Sequence, residues 1–146
     1  MGEPFISFGE SLFCDRAVVG GWKRDEEIYH AFTTAEAMEA GWCWRIEHDH
    51  LINRGYVYSS RFISDEAAES EFRQKNPKVT ETRKITFSSG VYHRTWVKNV
   101  IAIGNSAGFV EPLEATAIGM MTGAVDQLVS LLSCGTEIRQ IHRDVF

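Results

Sequence analysis

Basic runs, closely spaced cysteines and long apolar stretches are all missing from this chain, and each absence narrows what it can be. Its 15 Lys and Arg are scattered among 20 Asp and Glu, giving a net charge of −5. That balance argues against a partner held through its phosphates, so nucleic acid is not an expected partner. Only three cysteines occur, Cys14, Cys43 and Cys134, with wide spacings and no C-x-x-C. Neither a zinc knuckle nor a redox dithiol is indicated, and reduced, partly buried thiols in a cytoplasmic protein are the expectation. Residues 1–5 carry an acid and a proline with no basic start, so no signal peptide is expected. Gly2 is not followed by Ser or Thr at position 6, so no myristoylation signal and no membrane anchor is expected. The most apolar stretch, 109–132, contains Glu111, Glu114 and Asp126, which is too polar to span a bilayer. G-x-G-x-x-G is absent, and no Ser-His-Asp arrangement can be read from the sequence. Glu47, His48, Asp49 and His50 raise the question of a metal, but two imidazoles without a placed third ligand favour a solvated turn, and no metal is expected.

What is present is an ordinary globular composition: 146 residues, 44% apolar and 24% charged, enough for a real core. Phe13 to Val19 reads as a strand. In 41–46, Trp42, Trp44 and Ile46 alternate onto one face, as in a half-buried strand. Tyr56 to Ile63 is a second aromatic and β-branched run, and Asn53-Arg54-Gly55 reads as the turn between the two. Ser64, Asp65 and Glu66 open a helix that must stop before Asn76-Pro77. Thr82 to Phe87 and Val91 to Val97 read as a hairpin across Ser88-Ser89-Gly90. Ala35 to Ala40 is open between helix and extended chain. The chain starts and ends abruptly, at Phe5 to Phe8 and at Ile138 to Phe146, so an internal piece of a longer protein is expected.

The last part has a different grammar. Asn99 to Ile103 is a short continuous apolar run, as for a strand covered on both faces. A turn-rich loop, 104–112, leads into a helix over about 113–132, whose Ile118, Met121, Val125, Leu128 and Leu132 fall on helical spacing. Gly135 is a stop signal. In a strand–loop–helix unit, ligands gather at the strand's carboxyl end against the helix N-terminus. The loop reads Gly104-Asn105-Ser106-Ala107-Gly108-Phe109, small enough for a flat or anionic ligand to reach the backbone. Ala115, Gly119 and Gly123 continue the small face at intervals of four. Tight helix packing explains this pattern as well as ligand contact does. Acids at a helix start, such as Glu111 and Glu114 around Pro112-Leu113, ordinarily just complement the helix dipole.

The stretch 109–116, F-V-E-P-L-E-A-T, resembles the E-P-L-E-S-T-G run of the flavin-dependent tryptophan halogenases. Leu12 to Val18, Trp42-Cys43-Trp44-Arg45-Ile46, Gly55 to Ser60 and Trp96 to Asn99 match further family segments in family order, the second being the W-x-W-x-I-P signature. The resemblance implies an α+β fold: a fragment of a FAD/NAD(P)-binding, aromatic-hydroxylase-like fold, with an antiparallel sheet plus a strand–loop–helix of the flavin domain. It implies a sheet-rich substrate-side region over 1–98 and part of the FAD-binding domain over 99–146. Its chemistry is halide oxidation by reduced flavin and oxygen, then electrophilic halogenation of an aromatic ring in a separate pocket. The cofactor implied is FAD, reduced by a separate flavin reductase, with halide ion as co-substrate and an aromatic small molecule as substrate. By position, Glu114 matches the catalytic glutamate. Gly104, Asn105, Ala107, Gly108, Pro112 and Leu113 match the loop along the flavin. Thr116 and Ala117 match the halide site. Trp42 and Trp44 match the signature that keeps activated flavin from oxidising substrate directly, although core packing accounts for them equally.

Three positions depart from the family: Glu47 for proline, Ala115 for serine and Ala117 for glycine. The family's glycine fingerprint and catalytic lysine are not found, and Lys98 sits in the wrong place to substitute. The 146 residues alone are therefore expected to be inactive, to bind FAD weakly at most, and to self-associate through uncovered apolar surface. The alternatives are a non-catalytic flavoprotein module and a flavin-dependent aromatic hydroxylase. Substrate, regiochemistry and halide preference are not encoded legibly.

Overall fold

The computed structural model describes residues 2–113, 116–133, 135, 137–144 and 146. The chain is mixed helix and antiparallel sheet, divided into two compact units. One is Phe13–Phe87; the other joins Met1–Leu12 to Ser88–Phe146, so the boundary expected at 98/99 falls inside the latter.

In the Phe13–Phe87 unit, strands β2 (Arg16–Lys23), β3 (Thr34–Met38), β4 (Gly41–Glu47), β5 (Leu51–Tyr58) and β6 (Thr82–Thr86) form one sheet in the order β3-β4-β5-β2-β6. All its pairings are antiparallel. Strand alternation puts Val18, Cys43, Tyr56 and Tyr58 on one face, where they meet Ala68 and Phe72 of helix α1 (Asp65–Lys75) in a buried cluster. Ser64 caps α1 by accepting from the Ala67 N–H at 3.2 Å, and Tyr58 donates its hydroxyl to Asp65 at 2.9 Å. The helix ends at Asn76, whose side chain donates to the Phe72 carbonyl at 2.8 Å, one residue before Pro77. Burial pushes the Tyr56 hydroxyl up to about 12 and raises the Cys43 thiol, as expected for an inert core position.

Several local expectations change here. Asn53-Arg54-Gly55 is not a turn: it lies within β5, pairing with β4 on one side and β2 on the other. The turn is His48-Asp49-His50, exposed and closed by the His48 N–H on the Leu51 carbonyl at 2.8 Å. Glycine there serves close approach between strands, a need that resembles turn chemistry in sequence. The first strand runs 16–23 rather than 13–19, because it is matched along its length to β5. Ala35 to Met38 is extended, in β3.

The other unit contains β1 (Phe5–Ser7), β7 (Gly90–Tyr92) and β10 (Gly108–Phe109) as a three-stranded sheet in the order β1-β7-β10, and a two-stranded pair, β8 (Trp96–Val97) with β9 (Val100–Ile101). The hairpin expected across 88–90 does not form, since β6 pairs with β2 and β7 with β1 and β10. Nor is 99–103 a strand covered on both faces: β9 is two residues long, antiparallel, and Val100 is half exposed. Helix α2 (Thr116–Ser133) forms within the expected span, and its described residues include none that is buried. Ile118, Val129 and Leu132 stand in solvent. A short helix α3 (Gln140–Asp144) follows, which no capping signal announces.

Candidate functional site

The loop expected to carry the chemistry folds into a 3₁₀ turn, Gly104–Ser106, followed directly by β10. Gly104 has φ +63°, a left-handed conformation that favours glycine. Ser106 locks the turn: its hydroxyl accepts from the Ile103 N–H at 3.1 Å and donates to the Ile103 carbonyl at 2.8 Å. Ala107 then donates to the Gly104 carbonyl and accepts from the Tyr92 N–H, both at 2.9 Å, so the loop is bonded to the strand beside it. Gly108 presses on β7: a Cβ there would come within 2.6 Å of Val91 Cγ1.

These contacts shape a concavity of about 270 Å³. Gly104, Ala107 and Gly108 form one wall, and Ala117, Met120, Met121 and Ala124 of α2 form another. The structure thus brings together four of the sequence-selected residues: Gly104, Ala107, Gly108 and Ala117. Asn105, Leu113 and Thr116 are exposed and do not line it, and neither does Pro112. Thr116 instead donates its hydroxyl to the Leu113 carbonyl at 3.2 Å, closing the approach to α2. Glu114, the selected catalytic carboxylate, lies outside the described residues, as does Ala115. Met121 and Ala124 were findable from Ala117 by helical spacing. Val91 and Thr95 also line the concavity and carry no signal in the sequence, Val91 because long-range pairing delivers it.

Gly119 and Gly123 face open space, with nothing within 4 Å of an added Cβ. The small-residue stripe of α2 therefore packs against nothing among the described residues.

Trp42 and Trp44 belong to the Phe13–Phe87 unit, on the sheet face opposite Cys43. Their ring centroids are 6.0 Å apart at 56°. Trp44 donates its indole N–H to Asn53 Oδ1 at 3.3 Å, whereas the buried Trp42 N–H has no partner among the described residues. On the other face, Glu47 is almost fully enclosed and collects Arg24 at 2.8 Å, Arg45 at 2.7 Å and His30 at 3.2 Å. The His30 backbone N–H and the Arg24 guanidinium hold its carboxyl well below the usual carboxylate range. Glu27 is held down to about 2, first by Lys78, with Trp22 and Arg45 adding donors. The acid that departs from the W-x-W-x-I-P pattern is thus the hub of an ion network that ties 24–30 to the sheet. Among the described residues no cluster of metal-ligating side chains occurs, and no helix is long and apolar enough to cross a membrane.

Comparison with known proteins places this geometry. The chain is 39% identical over 134 residues to the tryptophan 7-halogenase RebH of Lentzea aerocolonigenes, an alignment covering 88% of this chain and 25% of the relative. It is 35% identical over 133 residues to the tryptophan 6-halogenase ThaL of Streptomyces albogriseolus, with the same coverage of 88% and 25%. The chain therefore spans about a quarter of the length of the curated relatives it matches. Among solved structures, Tar14, a tryptophan C-6 flavin-dependent halogenase from taromycin biosynthesis, superposes with a TM-score of 0.89 at 35% identity, covering 99% of this chain and 30% of that one. BrvH, a flavin-dependent halogenase from Brevundimonas sp. BAL3, gives 0.83 at 36% identity over 90% and 27%. The tryptophan halogenase family model matches residues 1–146, and the chain belongs to that family.

Proposed function

We propose that this chain forms the flavin- and halide-facing part of a FAD-dependent halogenase acting on an aromatic substrate of the tryptophan, indole or phenol kind. The observation that carries the reading is the concavity at the head of α2, walled by Gly104, Ala107, Gly108 and Ala117. Its volume is below that of complete small-molecule pockets, which suits one edge of a flat ring rather than a whole dinucleotide. The residues fit such a group: Gly104, Ala107, Gly108 and Ala117 keep the walls free of large side chains.

In this reading Gly104, Asn105, Ala107, Gly108, Pro112 and Leu113 lie along the flavin. The backbone N–H groups of Thr116 and Ala117, at the positive end of an 18-residue helix, hold the halide. Glu114 orients the electrophile and accepts the ring proton. Trp42 and Trp44 screen the flavin from the substrate. The bound flavin, reduced by a partner reductase, supplies the oxygen activation that oxidises halide. Of residues 1–98, those of the Phe13–Phe87 unit serve the substrate side, and 99–146 serve the flavin side.

The protein made from the complete gene tests this. Supplied with reduced FAD, oxygen and bromide, it should add bromine to tryptophan, indole or a phenol, read by product mass, and Glu114→Gln should lose most of that turnover. The methyl of Ala117 at the halide site favours a second reading, a hydroxylase. Products gaining oxygen regardless of bromide would establish it instead. Tight stoichiometric FAD binding by the 146 residues alone would overturn the view that they are one part of a larger site.

A further inference from the structure

The W-x-W pair is fixed by the strand beside it, not by its own strand. Trp44 stands directly opposite Gly55 in the β4–β5 register, and its indole occupies the space a side chain at 55 would need. A Cβ on Gly55 would fall 2.0 Å from Trp44 Cζ2 and 2.2 Å from Cη2, so no residue but glycine leaves the ring where it is. Asn53, two residues back on the same face, reaches the indole edge and accepts its N–H at 3.3 Å. One neighbour therefore sets how deep the ring lies and the other sets its in-plane rotation. Trp42 has no such anchor: its N–H is buried without a partner among the described residues. Its tilt against Trp44, 56° at 6.0 Å, follows from where Trp44 is held.

We infer that Asn53 and Gly55 are positioning residues for Trp44, and through it for the tryptophan pair. The functional meaning rests on the reading of that pair as the screen beside the flavin. The positioning itself does not.

The test uses the full 146-residue chain without flavin or halide. Two indoles this close and this tilted couple their transitions, giving an exciton couplet in the far-ultraviolet circular dichroism. Trp22 and Trp96 have no indole neighbour, since Trp22 donates to Glu27 and Trp96 packs on Phe146. Wild type should show the couplet. Asn53→Leu should reduce its amplitude by half or more while the melting temperature stays near wild type, and Asn53→Asp, which keeps an acceptor at the same reach, should restore it. Gly55→Ala should abolish it. A wild-type chain lacking the couplet, or Asn53→Leu retaining it in full, overturns the inference. Success here together with no bromide incorporation by the complete gene product would condemn the halogenase reading and leave the positioning intact.

Discussion

Gly104 and Met121 face each other across the concavity at contact distance without crowding: a Cβ on Gly104 would stand 3.5 Å from the Met121 sulfur. The demand for glycine comes from the backbone, at φ +63°. Gly104→Ala should therefore cost about 1–2 kcal/mol through left-handed strain. Gly104→Asn should cost less, because Asn tolerates that region. Equilibrium denaturation of the two variants decides: equal losses would mean that side-chain space, not φ, sets the choice.

Phe72 is fully buried and joins α1 to the sheet core. Phe72→Ala should destabilise the chain by about 3–5 kcal/mol, whereas Ser64→Ala, which removes only the helix cap, should cost about 1 kcal/mol. Urea midpoints rank the two. A Phe72→Ala loss no larger than that of Ser64→Ala would contradict the packing described.

Acid should unfold the chain by a route that avoids neutrality. Glu27 falls from an ordinary 4.5 to about 2, and Glu47 is held lower still. Both carboxylates have folded values below their unfolded ones. Their contribution is complete above about pH 4.5 and is lost as pH falls towards 2. Thermal melts should thus be flat from neutrality down to about pH 5 and decline below it. Glu47→Gln should lower the melting temperature near neutrality and flatten the acid limb. Melting temperatures that rise on acidification would contradict the sign.

Much of the Phe13–Phe87 unit was legible in the sequence. The alternation of Trp42, Trp44 and Ile46 and the Ser64 to Pro77 punctuation are local signals, and both mark elements that form. Failures came where partners are distant. Asn53-Arg54-Gly55 carries turn residues for a reason visible only once Trp44 lies over Gly55, and the pairing of Gly90 to Tyr92 with Phe5 to Ser7 spans most of the chain. At the candidate site, the loop glycines and Ala117 could be chosen from the sequence. Val91 could not, because strand pairing brings it there.

Ala117 allows the halide reading to be probed by one atom at a time. Ala117→Pro deletes its N–H in the first turn of α2, where proline is tolerated. A hydrogen bond to a charged group is worth about 1.5–3 kcal/mol, so the apparent KM for halide in the complete gene product should rise about tenfold or more. Ala117→Gly removes the methyl and should lower it. Halide KM values unmoved by both substitutions would take Thr116-Ala117 out of the halide site.

The central claim is that the strand–loop–helix junction touches the flavin, and photolabelling asks this directly. No Lys or Arg lies between Lys98 and Arg139, so trypsin releases the whole junction as one peptide, Asn99 to Arg139. After irradiation of the complete gene product with an azido-substituted FAD, we predict label on that peptide, concentrated between Gly104 and Leu113 and competed away by ordinary FAD. Specific labelling that leaves Asn99 to Arg139 untouched would contradict the account.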